Sequence, residues 1–345
     1  MYQPLIDAIQ DSREGTNQLR IVGHGSKQQW LPAPKALKNI QVEQQGIVDY
    51  QPEELVITAH AGTPLADLVA ALDERNQQFG FEPVQFPKAP GADQSGTFGG
   101  MIGAGFSGPN RVWGGAVRDA VLGVEILNGR AELLRFGGQV MKNVAGYDVS
   151  RLLTASLGSL AVIVAASVRV QPKPQMQITV ALEQDGEQAL QTCRAISRHH
   201  YPLSGTWWYD NELYLRLSGN EAAVNDAKAR LGGQETDFDW TAIRDQQHPL
   251  FNKQTLCRVI VPAATTWWTP ANQQAGFEWA GELRWFSLEE DQMAEVAQWA
   301  QAAGGWMWVQ GQQQPLNELQ KKYMLAMKNA FDPDDVFCPH AMQLV

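Results

Sequence analysis

Glycine crowds the stretch from Gly91 to Gly158, and this constrains the fold more than any other feature of the chain. Residues without a Cβ are kept where backbone must turn left-handed or approach a ligand or another backbone closely. The densest run is Pro90-Gly91-Ala92-Asp93-Gln94-Ser95-Gly96-Thr97-Phe98-Gly99-Gly100-Met101-Ile102-Gly103-Ala104-Gly105. Phe98, Met101, Ile102 and Phe106 anchor such a loop to a core, which argues for close approach rather than for a flexible linker.

Tryptophan is distributed in the opposite way. Of the twelve, only Trp30 and Trp113 precede Gln171-Pro172-Lys173-Pro174. Two prolines in four residues do not continue a central strand, so a boundary falls near 172. At 345 residues the chain exceeds what one core organises. The expected division is 1–172, 173–330 and a tail, 331–345.

In the first part, Leu19-Arg20-Ile21-Val22 and Leu55 to Ala59 read as strands, and Thr63 as the cap of a helix with Pro64 at its first position. Val121 to Leu127 and Ala131 to Phe136 form a hairpin around Asn128-Gly129, the dipeptide of a type I′ turn. Asp148 caps a helix that Gly158 ends, before the apolar strand Leu160 to Val170. The second part alternates strands near Leu213–Leu217, Leu256–Val261, Leu283–Phe286 and Trp306–Val309 with helical patterns at 187–198, 221–231, 291–303 and 316–329. The class is α+β, with helices on one face of a sheet.

The formal charge is −10 without a Lys/Arg cluster, which excludes nucleic acid as a partner. A dinucleotide can still be held by backbone N–H groups and one or two cations. No apolar run suffices for a membrane span or a signal segment, so the expected location is the cytosol. Cys193, Cys257 and Cys338 are odd in number and far apart, arguing against disulfide, zinc or iron–sulfur frameworks; no metal site is expected.

Gly23-His24-Gly25-Ser26-Lys27, entered from a strand, can aim successive N–H groups into one concavity and hold a pyrophosphate. It matches neither the Walker nor the Rossmann fingerprint, and a tight surface turn with a basic residue is the alternative. Arg118-Asp119 and Lys142-Asn143 bring cations and amides beside the glycine loops, or form a salt-bridge net.

In order along the chain, these segments resemble the FAD-binding domain of the vanillyl-alcohol oxidase and p-cresol methylhydroxylase (PCMH) superfamily, over about residues 1–172. Within it they are most similar to the FAD-binding subunits of glycolate oxidases. The resemblance rests on Glu54 to Ala59 with Gly62-Thr63-Pro64-Leu65, on Phe98-Gly99-Gly100-Met101, on Gly114 to Asp119, and above all on Leu134 to Asp148. It implies FAD between two α/β subdomains, followed by a cap domain built on an antiparallel sheet. Carried over by position, Gly23, His24, Gly25, Ser26 and Lys27 would face the pyrophosphate. Pro90, Gly91, Thr97, Gly99, Gly100 and Gly103 would line the ribityl and ring side, and Arg118, Gly158 and Val162 the far end. The tail Phe331 to His340 resembles the closing motif that folds back onto the flavin domain, with Cys338 and His340 at variance. His24 lies four residues after Arg20, as the flavin-linking histidine of covalent members does. Val22 departs from their Arg-x-Gly-Gly-His, which favours a histidine giving only its backbone N–H.

The resemblance also implies a role in oxidising a small 2-hydroxy acid, glycolate to glyoxylate, beside a paralogous catalytic flavoprotein and an iron–sulfur subunit, with any membrane association through partners. The paired histidines around Gly-Asp-Gly-Asn that related enzymes carry in the cap are absent; Gly304 to Gln313 has neither histidine nor acid. No catalytic residue is assigned. His199-His200 and His248 read as exposed positions. A scaffold keeping the flavin fold, or a stand-alone oxidase of another hydroxylated substrate, are the competing roles. Trp267-Trp268, adjacent in a loop where both cannot point inward, read as a partner surface.

Overall fold

The computed structural model describes residues 1–15, 17–32, 37–86, 96–138, 148–252, 255–270 and 274–338. Two compact units emerge: Met1–Phe106, Ala116–Pro172 and Gly311–Val345 form the first, and Ser107–Gly115 with Lys173–Gln310 the second. The division differs from the expected one at two places. The short segment 107–115 belongs to the second unit, and 311–330 belongs to the first.

The first unit begins with α1 (Gln3–Glu14), which buries Leu5, Ala8 and Ile9. Strands β1 (Leu19–Ile21) and β2 (Lys38–Ile40) pair in parallel. A five-stranded antiparallel sheet runs in the order β3 (Ile47–Gln51), β4 (Val56–His60), β8 (Val162–Arg169), β6 (Val121–Leu127), β7 (Leu133–Gly137). The pair β5 (Gln77–Gln78) and β9 (Gln171–Pro172) closes its end. Helices α2 (Leu65–Asp73), α3 (Phe98–Ala104), α5 (Val117–Ala120), α6 (Val149–Leu152) and α11 (Glu318–Phe331) complete the unit. Leu65, Leu68 and Leu72 of α2 and Phe98, Met101 and Ile102 of α3 are buried in its core.

Three local expectations are corrected by tertiary contacts. Pro64, not Thr63, caps α2, because the Thr63 hydroxyl is engaged elsewhere, donating to His60 O at 2.7 Å and accepting from Gly46 N at 3.0 Å. The Asn128-Gly129 hairpin is not type I′. Its loop spans Asn128 to Glu132, with Ala131 in the left-handed region at φ 61°. Gly129 serves close approach instead: its N–H donates to Phe331 O at 2.9 Å, and a Cβ there would stand 2.1 Å from Asp332 Oδ1. Helix α6 stops at Leu152, well before Gly158. Ala155 and Leu157 turn left-handed so that their N–H groups reach the last carbonyls of α3, Ile102 O at 3.1 Å and Gly103 O at 2.9 Å.

The second unit is built on an eight-stranded antiparallel sheet. Its order is β13 (Gln234–Thr236), β10 (Met176–Glu183), β12 (Glu212–Gly219), β11 (Leu203–Tyr209), β15 (Gln274–Glu278), β16 (Leu283–Leu288), β14 (Thr255–Ile260), β17 (Trp306–Val309). From either edge inward, the sheet reads fourth, first, third, second, so two split β-α-β halves join through β11 and β15. In the first half the crossovers are α7 (Gly186–Ile196) and α8 (Glu221–Leu231). Capping suits each: Gln188 N donates to Asp185 Oδ1 at 2.9 Å, and Ala223 N to Asn220 Oδ1 at 2.8 Å. In the second half α10 (Met293–Ala302) makes the last crossover, and no described helix makes the first. The remaining helices of the unit are short, α4 (Arg111–Gly114) and α9 (Trp240–Arg244).

Trp267 and Trp268 lie where that first crossover helix would be, and both pack onto the sheet. Trp267 meets Trp208 at 4.6 Å and Phe277 at 5.8 Å, while Trp268 stacks on Trp299 at 5.1 Å. Trp268 also meets Phe286 of β16 at 6.4 Å, so both adjacent indoles are half-buried against the sheet rather than one of them pointing away from it. The irregular segment around them is fastened by guanidinium groups. Arg194 donates to the carbonyls of Ala263, Ala264 and Thr265, and Arg284, fully buried, also donates to Thr265 O. These bonds satisfy carbonyls that a helix would satisfy internally.

His248 is half-buried rather than exposed, set edge-on to Tyr209 at 4.9 Å and Trp207 at 5.1 Å, and burial lowers its pKa. His199 and His200 are exposed. Cys193 and Cys257 are buried free thiols whose pKa values burial pushes up to about 12, so both are inert at neutral pH.

Candidate flavin site

A cavity open to solvent lies within the first unit. Its walls come from the turn after β1, from Ala61-Gly62 after β4, from Gly96 through Ala104, and from Ser156 through Ile163. The sheet brings these together: β4 and β8 are paired neighbours, so the turns at their ends share one edge.

Gly23, His24, Gly25, Ser26, Lys27, Thr97, Gly99, Gly100, Gly103 and Gly158 all line this cavity. Pro90 and Gly91 lie outside the described residues. Arg118 and Val162 are not in the lining. Arg118 is exposed on α5, and Val162 is fully buried in the core. Strand alternation explains the second case, since the lining takes Ala161 and Ile163 on either side of it.

The glycines have separable reasons. Gly25 and Gly158 take φ of +74° and +75°, the left-handed turns that let the first and last loops curl. A Cβ on Gly23 would fall 2.3 Å from Thr97 Oγ1, and one on Gly99 would fall 2.7 Å from the Ala61 Cβ, so these two permit wall to meet wall. Thr97 joins them as the cap of α3, its Oγ1 accepting from Gly100 N at 3.1 Å. Gly103 differs from all of them. Nothing lies within 4 Å of where its Cβ would be, and it faces the cavity from an ordinary helical backbone.

The electrostatics suit an anionic ligand. Arg20, His24 and Lys27 line the cavity, and among the described residues none in the lining is acidic. His24 Nδ1 is buried and has no hydrogen-bond partner among the described residues, a polar atom that a ligand would satisfy. Lys27 Nζ stands 3.3 Å from Ser26 Oγ and 5.9 Å from the Phe86 ring centre. Arg20 was not among the expected contacts, although it opens the motif that His24 was compared with; as a strand residue its side-chain direction is set only by the fold. Ser156 and Leu157 were also missed, because only the left-handed turn after α6 brings them to the wall.

The unit that carries this cavity has the PCMH-type FAD-binding fold of a flavoprotein, and its cofactor is FAD. The family model described as FAD binding domain matches residues 3–137. Over its whole length the chain is 36% identical to glycolate oxidase subunit GlcE of Escherichia coli (strain K12), the alignment covering 99% of this chain and 97% of that protein. The chain belongs to the family of that subunit. A partial likeness extends to glycolate oxidase subunit GlcD of Bacillus subtilis (strain 168), 31% identical over 147 residues, which is 42% of this chain and 30% of that one. Among solved structures, alkyldihydroxyacetonephosphate synthase superposes with a TM-score of 0.65 at 12% identity, covering 96% of this chain and 74% of the other, and shows the shared fold.

Proposed function

We propose that the chain is the FAD-binding subunit of a multi-subunit glycolate oxidase of the cytosol. It would work beside a paralogous catalytic flavoprotein and an iron–sulfur protein that pass on the electrons from glycolate. The end-to-end likeness to GlcE carries this reading, because it spans the cap unit as well as the flavin unit. Among the described residues no helix is long and apolar enough to cross a membrane, so any membrane association would run through partners.

Bound FAD supplies a two-electron acceptor for hydride. The chain's own residues do the holding. Successive N–H groups of Gly23 to Lys27 would face the pyrophosphate, with Arg20 and Lys27 offsetting its charge. The empty side of Gly103 leaves room for the ligand, and the imidazole of His24 would give its unmet Nδ1 a partner. Pro90, Gly91, Thr97, Gly99 and Gly100 would flank the ribityl and ring side, and Gly158 the far end. Among the described lining residues the proton-accepting side chains are His24 and Lys27, and both stand in the turn after β1. That supports assigning substrate oxidation to the partner flavoprotein.

Purification of the full chain tests the reading. A yellow protein with about one FAD per chain, not bleached by glycolate until the partner flavoprotein is added, is the expected result. A colourless, soluble chain would leave only the scaffold role. Reduction by glycolate in the isolated chain would move catalysis into this subunit.

A further inference from the structure

Arg111 opens the short helix α4 in the second unit and is half-buried, with its guanidinium carbon 4.6 Å from the ring centre of Trp279. That indole is a fixed floor. It is 2% exposed, and its Nε1–H donates to Gly108 O at 3.0 Å. A second guanidinium, Arg258 on β14, lies 5.1 Å from the same ring centre. Burial lowers the Arg258 pKa to about 10, with Glu278 opposing the shift and Arg111 adding to it. Glu278 is itself buried and accepts from Trp285 Nε1 at 2.7 Å.

The charges here do not cancel. Among the named groups, one carboxylate, Glu278, stands against two guanidinium groups. The Arg111 side chain makes no hydrogen bond and no ion pair among the described residues, and only its flat face is used, against the indole. A half-buried guanidinium whose N–H fork is unspent by the protein leaves that fork open to water or to an anion. A fork matches a planar carboxylate through two parallel bonds, and a surplus of one charge matches a monoanion better than a phosphate dianion.

We propose that Arg111, seated on Trp279 and reinforced by the field of Arg258, is a binding site for a small monocarboxylate. The site lies wholly in the second unit and involves neither the phosphate turn nor the cavity glycines. Its choice of glycolate as the natural occupant rests on the function proposed above.

The test uses the full FAD-loaded chain, with binding of glycolate followed by calorimetry and by tryptophan fluorescence, and with glycolamide as the uncharged counterpart. Glycolate is expected to bind and glycolamide not to. Arg111→Gln should weaken glycolate about ten- to a hundredfold, the loss of a charged pair of hydrogen bonds, while FAD content and melting temperature stay unchanged. Arg111→Lys, which keeps the charge without the fork, should recover only part of the affinity. Equal binding of glycolate by Arg111→Gln and the parent chain would overturn the proposal, as would binding of glycolamide as tight as glycolate, or tighter binding of inorganic phosphate. A yellow chain that binds no small carboxylate sinks this site alone, whereas a colourless chain sinks the flavin reading.

Discussion

Gly103→Leu is expected to give a folded protein that no longer holds FAD. The position is in α3 with ordinary helical backbone, and leucine is a better helix former than glycine by somewhat less than about 1 kcal/mol, so the apoprotein should melt no lower than the parent. Among the described residues the new side chain would occupy the one lining glycine position whose Cβ direction is open, with nothing within 4 Å. Because a packed wall cannot yield to an extra isobutyl group and a ligand at once, affinity for FAD should fall by about a hundredfold or more, roughly 3 kcal/mol. Flavin fluorescence titration of the apoprotein, with a melting curve beside it, gives the answer. Retained FAD at parental affinity would mean that the ligand runs past another part of the wall. Gly103→Ala, a far smaller intrusion, should show a much weaker loss.

Lys328→Met is expected to cost about 3–5 kcal/mol in stability, several times what breaking an exposed ion pair costs. Lys328 is the one buried residue of α11, and it is charged. Its Nζ donates to the Asp332 carboxylate, to Phe337 O, and to Ser159 O at 3.0 Å. Asp332, 1% exposed, accepts in turn from Val336 N at 2.9 Å and Phe337 N at 2.8 Å. Removing the ammonium leaves that carboxylate buried without its cation, which is the source of the loss. The same group fastens the tail beside β1, where Leu19 N donates to Val336 O at 2.7 Å and Cys338 N to Leu19 O at 2.9 Å. Urea unfolding with an unchanged slope and a lowered midpoint is the expected observation. A stability within about 1 kcal/mol of the parent would show that the network contributes little on balance. The double substitution Lys328→Met with Asp332→Asn, which removes the orphaned charge, should recover part of the loss.

The closing segment shows how far motif reading reaches. Its departure at Cys338 from the related motif left flavin contact by the tail in doubt, and the described tail residues do not line the cavity. They act one step back, through Leu19 and Ser159, on the two turns that do. Pro339 and His340 lie outside the described residues.

Periodic helices were legible because their signal is local. Residues 221–231 form α8, and the pattern at 187–198 differs from α7 by a residue or two at each end. Strands β10 and β11 were not read from the chain: β10 alternates apolar and polar residues along Met176–Glu183 and was legible, whereas β11 buries Ser204, Gly205 and Thr206, which carry no strand signal of their own. For Trp267-Trp268, the rule that neighbours in a loop face opposite ways ignores a sheet that meets both, through Trp208 and Phe286.

What the sequence determined by itself was a glycine turn after the first strand and a glycine-built wall, because backbone conformations open mainly to glycine are written residue by residue. Tertiary structure alone decided which lining glycines have an open side toward the cavity and which face another wall, that Arg20 joins the cavity while Val162 turns into the core, and that Gly129 makes room for Asp332. Each depends on an atom contributed by a distant part of the chain, and a one-dimensional pattern carries no distance between its ends.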